Sequence, residues 1–153
     1  MSRYAQNTAV TVDRSKAEIE RTLERYGATA FLSGYDRDAN VAWLMFRMKQ
    51  ATVKILIPMP RHEDFDRNDR GRLRKTEAQD LEWRKATRQR WRALALLVKA
   101  KLESVASGIS TVEKEFLGDI LLLSGRTIAE EIAPQIDAAF KEGRMPKQLL
   151  SGI

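Results

Sequence analysis

Residues 28–60 read ATAFLSGYDRDANVAWLMFRMKQATVKILIPMP, and the fold turns on how that stretch is divided. Ala28–Tyr35 reads as one strand, closed by the turn formers Asp36-Arg37-Asp38-Ala39-Asn40. Val41–Met48 reads as a second and Thr52–Ile57 as a third, with Lys49-Gln50 near the turn between them. Connections this short cannot return the chain to the start of a parallel neighbour, so the three strands predict an antiparallel meander. Trp43, Met45, Val53, Ile55 and Ile57 predict one buried face, while Leu44, Phe46, Met48 and Leu56 make the opposite face apolar too. A sheet apolar on both sides is expected to be covered on both sides or to pair with a partner. Pro58 and Pro60 end the third strand, because proline cannot donate to the ladder.

Upstream, Ser15-Lys16-Ala17-Glu18 has the form of a capping box, predicting a helix from there through Tyr26 with Ile19, Leu23 and Tyr26 on one face. Gly27 is the expected left-handed stop. Residues 1–13 are polar with a β-branched patch, Thr8 to Val12, which reads as an edge strand or an ordered arm. Downstream, residues 61–80 (RHEDFDRNDRGRLRKTEAQD) hold only Phe65 and Leu73 as large apolar residues and read as a charged mobile loop. A long helix is expected from about Glu77 to Val105. Its evidence is Trp91, Leu94, Ala95, Val98, Leu102 and Val105 at spacings of three and four, and Gly108 is its stop. Ser110-Thr111-Val112-Glu113 reads as a second capping box opening a short helix with Phe116 and Leu117 that continues toward Leu122. Ser124-Gly125 is a turn. Thr127-Ile128-Ala129-Glu130 is a third box, opening a helix with Ile128, Ile132, Ile136 and Phe140 on its face and ending at Gly143. Pro134 inside it is expected to kink or split it. The tail is expected to pack through Leu149 and Leu150. The order predicts a single α+β domain over residues 1–153: an N-terminal helix, a three-stranded meander, a long basic amphipathic helix and short C-terminal helices.

Composition narrows the function classes. At 43% hydrophobic and 31% charged residues the chain has a globular balance, and its 153 residues suit one domain. No apolar run reaches the ~18 residues of a membrane span, and the opening MSRYAQNTAV lacks the apolar segment of a secretory signal. No Cys means no disulfide framework, thiolate nucleophile or Cys-ligated zinc, and His62 is the single histidine. The expected residence is cytoplasmic, with no membrane partner.

The charge is local. Arg84, Lys85, Arg88, Arg90, Arg92, Lys99 and Lys101 fall in one stretch without an acid, giving +7, whereas the whole chain carries +6. On a helix Arg84, Arg88, Arg92 and Lys99 fall within a sector of roughly 80°, with Lys85 beside them and Arg90 and Lys101 across the apolar stripe. Like charges at i and i+4 destabilise a helix by ~0.2–0.5 kcal/mol per pair, so a row without interleaved acids is a local conflict of the kind that marks function. The competing reading is that Glu18, Glu20 or Glu24 of the first helix neutralises the row. Arginine predominates, and its planar fork suits phosphate oxygens. Trp83 sits near the helix start where it could stack on a base, whereas Trp91 lies mid-stripe and reads as core. Arg70, Arg72, Arg74 and Lys75 of the loop form a basic arm that could order on a polyanion.

Chemistry is sparse. No glycine motif of the phosphate-cradling kind is present. Glu63, Asp64, Asp66 and Asp69 cluster near His62, but a two-metal site needs carboxylates held rigidly, and here Arg61, Arg67 and Arg70 interleave them. No catalytic constellation, metal site or cofactor is expected.

Three stretches, Ala17–Phe31 (AEIERTLERYGATAF), Arg88–Ile109 (RQRWRALALLVKAKLESVASGI) and Glu115–Ile128 (EFLGDILLLSGRTI), resemble small, mostly uncharacterised proteins encoded by tailed bacteriophages and prophages. The resemblance implies a bacterial host cytoplasm and a role in DNA metabolism, gene control or countering host defence. At fold level, three strands followed by a long basic helix is similar to the core of phage single-strand annealing proteins. The expectation is a non-enzymatic accessory protein that binds nucleic acid, single-stranded and without sequence preference. The alternative is a protein-interaction module, such as an inhibitor of a host nuclease or defence complex. Homo-oligomers are possible on either reading.

Overall fold

The computed structural model describes the backbone of residues 3–144 and the side chains from residue 12 to 144. The elements run α1 (Arg3–Arg25), β1 (Ala30–Asp36), β2 (Val41–Met48), β3 (Ala51–Pro58), a 3-10 turn (His62–Phe65), α2 (Thr76–Ala106), α3 (Val112–Glu115), a second 3-10 turn (Leu117–Asp119) and α4 (Ile128–Glu142). The fold is α+β. The strands form an antiparallel meander in the order β1-β2-β3. Asp36 builds the first turn, its Oδ1 accepting from the N–H groups of Asp38 and Ala39 at 2.9 and 3.0 Å, and Asn40 takes a left-handed φ of 52°.

Register decides which face is inside. Leu44 pairs with Ile55, Phe46 with Val53 and Ala42 with Ile57, so these six side chains share one face, and all are buried. The expected grouping of Trp43 and Met45 with Val53, Ile55 and Ile57 is therefore wrong. Trp43 pairs with Leu56 and Met45 with Lys54, and they belong to the opposite, half-exposed face, where Leu32 also lies. A turn longer or shorter by one residue flips a strand, and alternation that is apolar on both faces cannot reveal it.

The inner face packs on α1 and α2. Three strands lie between them, so α2 returns beside α1 in the same direction: Glu18 meets Arg92 and Lys16 covers Trp91. Ile19 and Leu23 of α1 join Trp91, Leu94, Ala95, Val98 and Leu102 of α2 in the core. Phe116, fully buried after α3, meets Phe46 edge-on with ring centroids 5.3 Å apart.

Four local expectations are corrected. Residues 8–12 are helical, neither strand nor arm, and α1 runs unbroken through Ser15. Ser15 is buried mid-helix, and Val12, Ser15, Ile19, Thr22 and Leu23 form one stripe at helical spacing; packing against α2 overrides the cap signature. The cap of α3 is Thr111, which accepts from the Lys114 N–H at 3.3 Å, and α3 stops after one turn. It stops because the next residues go to the sheet: Val53 bridges Ile120, and the Leu121 N–H donates to the Thr52 carbonyl at 2.8 Å. Pro134 does not split α4. The carbonyl it leaves without its helical donor, that of Glu130, accepts instead from the Arg126 guanidinium at 2.7 Å. The third capping box forms as read: the Glu130 N–H reaches the Thr127 hydroxyl at 3.2 Å, and the Glu130 carboxylate accepts from the Thr127 N–H at 2.7 Å. That backbone bond holds the Glu130 carboxyl below its ordinary pKa. Gly27 and Gly143 take left-handed φ of 93° and 67° at helix ends, as expected. The contact expected of Leu149 and Leu150 lies outside the described residues.

Gly34 is required by an approach rather than by its φ. The Trp43 indole lies across it on the open face, and a Cβ at residue 34 would stand 2.2 Å from the ring. Gly34→Ala should cost about 1–3 kcal/mol, the range for overpacking. In a Trp43→Leu background most of that cost should vanish, and chemical denaturation of the four proteins of the cycle measures it.

Candidate nucleic-acid interface

The expected interface has two parts, the loop before α2 and the cations along α2. The loop holds itself together. Asn68 Oδ1 accepts from the N–H groups of Arg70 and Arg72, both at 3.0 Å, and Arg67 bridges Leu73. Arg74 turns inward, donating to the carbonyls of Phe65 and Arg67. It is a scaffold residue, while Arg70, Arg72 and Lys75 point to solvent. α2 opens at Thr76, in line with the expected start near Glu77, so the charged loop ends at Lys75 rather than at residue 80.

The loop is also fastened to the first turns of α2, through Gln79, Asp80 and Trp83. His62 Nε2 lies 2.6 Å from Asp80 Oδ1, and its ring stands edge-on to Trp83 at 5.7 Å. Gln79 Nε2 donates to the His62 carbonyl at 2.9 Å, and Trp83 Nε1 to the Pro60 carbonyl at 2.9 Å. His62, the single histidine, is thus the staple of the loop. Its partners, at positions 79, 80 and 83, follow one another on the near side of a helix 17 to 21 residues downstream. No local motif could have shown that.

The cations of α2 divide. Arg84 faces Asp80 at 3.7 Å and is mostly covered. Arg92 pairs with Glu18 of α1 at 2.7 Å, as the neutralisation reading anticipated for that residue. An exposed pair of this kind contributes roughly 0–1 kcal/mol to stability, but it removes a charge from the row. Lys101 donates to the Glu115 carbonyl and sits 5.0 Å from the Phe116 ring, tying α2 to α3. Burial raises the pKa of the nearby Asp119, opposed by Lys101. Lys85, Arg90 and Lys99 are exposed and Arg88 is half-buried. Lys85 and Lys99 stand on one side of the helix and Arg90 on the other. The even row read from the sequence is therefore interrupted at Arg84 and Arg92. What remains exposed is Lys85 and Lys99 on one side of α2, Arg90 on the side that carries Trp83, and Arg70, Arg72 and Lys75 on the loop.

Among the described residues, no three His, Cys, Asp or Glu side chains converge as a metal site would need. Asp64 is instead used by the backbone, accepting from the Arg61 N–H at 2.9 Å. No helix among them is long and apolar enough to cross a membrane. The chain matches no family model, no curated protein and no solved structure, so nothing there points to a phage origin.

The staple has a direct consequence. His62→Ala should leave the core intact, since its partners Gln79, Asp80 and Trp83 all lie outside the core, but free the loop. Trypsin is expected to nick the variant after Arg67, Arg70 or Arg72 well before the parent protein, with the far-UV spectrum unchanged.

Proposed function

We propose that this protein binds nucleic acid, single strands before duplex and without sequence preference, as an accessory factor in DNA metabolism or recombination. The observation that carries the reading is the staple. His62, Gln79 and Trp83 fix an arginine-rich loop to the start of the helix that bears the chain's acid-free cationic stretch. A loop that merely solvated itself would not need fastening at that place. The strand's phosphates would run from Arg70, Arg72 and Lys75 past Lys85 toward Lys99, with arginine forks taking the phosphate oxygens. Arg74, Arg84, Arg92 and Lys101 support the surface and carry little of the binding, since each is engaged within the fold. The reading assigns no catalysis, metal or cofactor.

A second reading, a protein-interaction module of the kind that inhibits a host nuclease or defence complex, has its own observation. No residue of α4 is buried, and its apolar face ends in Ile136 and Phe140, the latter 84% exposed. A surface of that kind meets proteins more readily than phosphates. A sedimentation shift on adding host lysate that resists nuclease and ~0.5 M salt, and that Phe140→Asp abolishes, would favour it.

Charge reversal separates the two. Arg70→Glu, Arg72→Glu and Lys85→Glu together should reduce affinity for a labelled single strand by at least about tenfold, roughly the effect of removing several phosphate contacts. Arg90→Glu, on the other side of α2, should change it little. Fluorescence anisotropy measures both, with circular dichroism confirming the fold. Retained affinity in the triple variant would remove the proposal.

A further inference from the structure

We propose that the cleft between α2 and the Tyr35 end of the sheet is a pocket for one nucleobase, with the attached phosphate at Lys16. The inference rests on the nucleic-acid reading above and says where a base would go. The cleft has a volume of about 270 Å3 and is lined in the main by Trp83, Thr87 and Trp91 of α2, Tyr35 and Ala42 of the sheet, and Lys16 of α1. Trp83, Thr87 and Trp91 stand at i, i+4 and i+8, so two indoles flank a small residue along one side of the helix. Across from them β2 places Ala42 at the inward position that Leu44, Phe46 and Met48 fill farther along the same strand. Small side chains thus face each other at one end of a core that is otherwise filled by large ones.

The aromatic walls are set in advance. Trp83 is oriented by its N–H bond to the Pro60 carbonyl, and Trp91 lies under the Lys16 ammonium, 4.8 Å from the ring centroid. Tyr35, half-exposed at the mouth, donates its hydroxyl to Asn40 Oδ1 at 2.6 Å. Size and polarity then select the ligand. Ligand pockets commonly run from about 300 to 1,000 Å3, so this one takes a single planar ring system and excludes a folded peptide. Lys16 is the one charged side chain among the lining residues, which calls for an anionic group beside the ring. A planar apolar body with one adjacent negative charge describes a nucleotide. Base stacking on aromatic side chains is tolerant of sequence, in keeping with the proposed binding mode. The cleft also adjoins the stapled loop, since Trp83 and Pro60 belong to both.

Thr87→Leu fills the cleft without altering a charge, and the Thr87 hydroxyl bonds only to the Trp83 carbonyl within its own helix. The probes are a labelled twelve-residue oligothymidylate, an abasic backbone of equal length and charge, and thymidine 5′-monophosphate. The parent protein should bind the base-bearing strand about tenfold tighter than the abasic one, and Thr87→Leu should erase that margin while leaving abasic binding unchanged. Tyr35→Ala, at the exposed mouth, should narrow the same margin and serves if the leucine variant does not fold. Equal binding of both strands by the parent protein, or a margin intact in both variants, would overturn the pocket while leaving the nucleic-acid reading in place. If neither strand binds, that reading fails, and the mononucleotide decides. Tryptophan quenching by it in the parent but not in Thr87→Leu would sustain the pocket as a free-nucleotide site, and absence of quenching would overturn it.

Discussion

The middle strand has to satisfy two neighbours and a layer of helices at once, and most of the structure follows from how it does so. With Phe46 opposite Val53 and Leu44 opposite Ile55, one face of the sheet becomes continuous with the stripe on α2 and with Ile19 and Leu23 of α1. Losing a buried aromatic such as Phe46 costs on the order of 3–5 kcal/mol in cores of this kind, a large part of a small domain's stability. The same register sends Trp43 and Met45 outward and brings the indole of Trp43 over Gly34. At one end of that strand Phe116 closes the core on Phe46. At the other, Ala42 leaves it open beside Trp91.

Because α2 is held by its apolar stripe, its cations are distributed by geometry rather than by sequence order. The flank turned toward α1 meets Glu18, and the turn nearest the loop meets Asp80. The C-terminal lysine is taken by the α3 junction. Of a run of seven like charges, Arg84, Arg92 and Lys101 become structural contacts, Arg88 is half-buried, and Lys85, Arg90 and Lys99 stay exposed. Net positive charge still attracts polyanions over about a Debye length, ~8 Å at physiological ionic strength. On the proposed reading the short-range contacts fall to Arg70, Arg72, Lys75, Lys85 and Lys99, the exposed cations of that set.

The strand boundaries and the course of α2 were legible because hydrophobic spacing and turn residues act locally. Val41–Met48 has the bounds that Asn40 and Lys49-Gln50 suggest, and the Thr127–Glu130 box forms as written. The readings that went astray depended on contacts between distant segments. Ser15 looks like a cap until it is buried mid-helix, and Ile120 looks helical until Val53 claims it. Pro134 looks like a breaker until Arg126 supplies the missing donor. The face of β2 was ambiguous because both faces are apolar, which removes the alternation on which register is read. In the candidate interface, the cationic residue types were visible, but their internal partners and the His62 staple were not.

The central claim is electrostatic contact with a nucleic-acid backbone, and salt dependence tests it most directly. Anisotropy of labelled single-stranded and duplex oligonucleotides across a range of salt should give log–log lines. For the single strand the slope should be near −0.7Z, where Z is the number of phosphates met. With Arg70, Arg72, Lys75, Lys85 and Lys99 as the contacts, Z near five would give a slope of roughly −3.5, and the single strand should bind more tightly than duplex. No binding at low salt, or binding indifferent to salt, would contradict the account and turn attention to the apolar faces of α4 and the sheet.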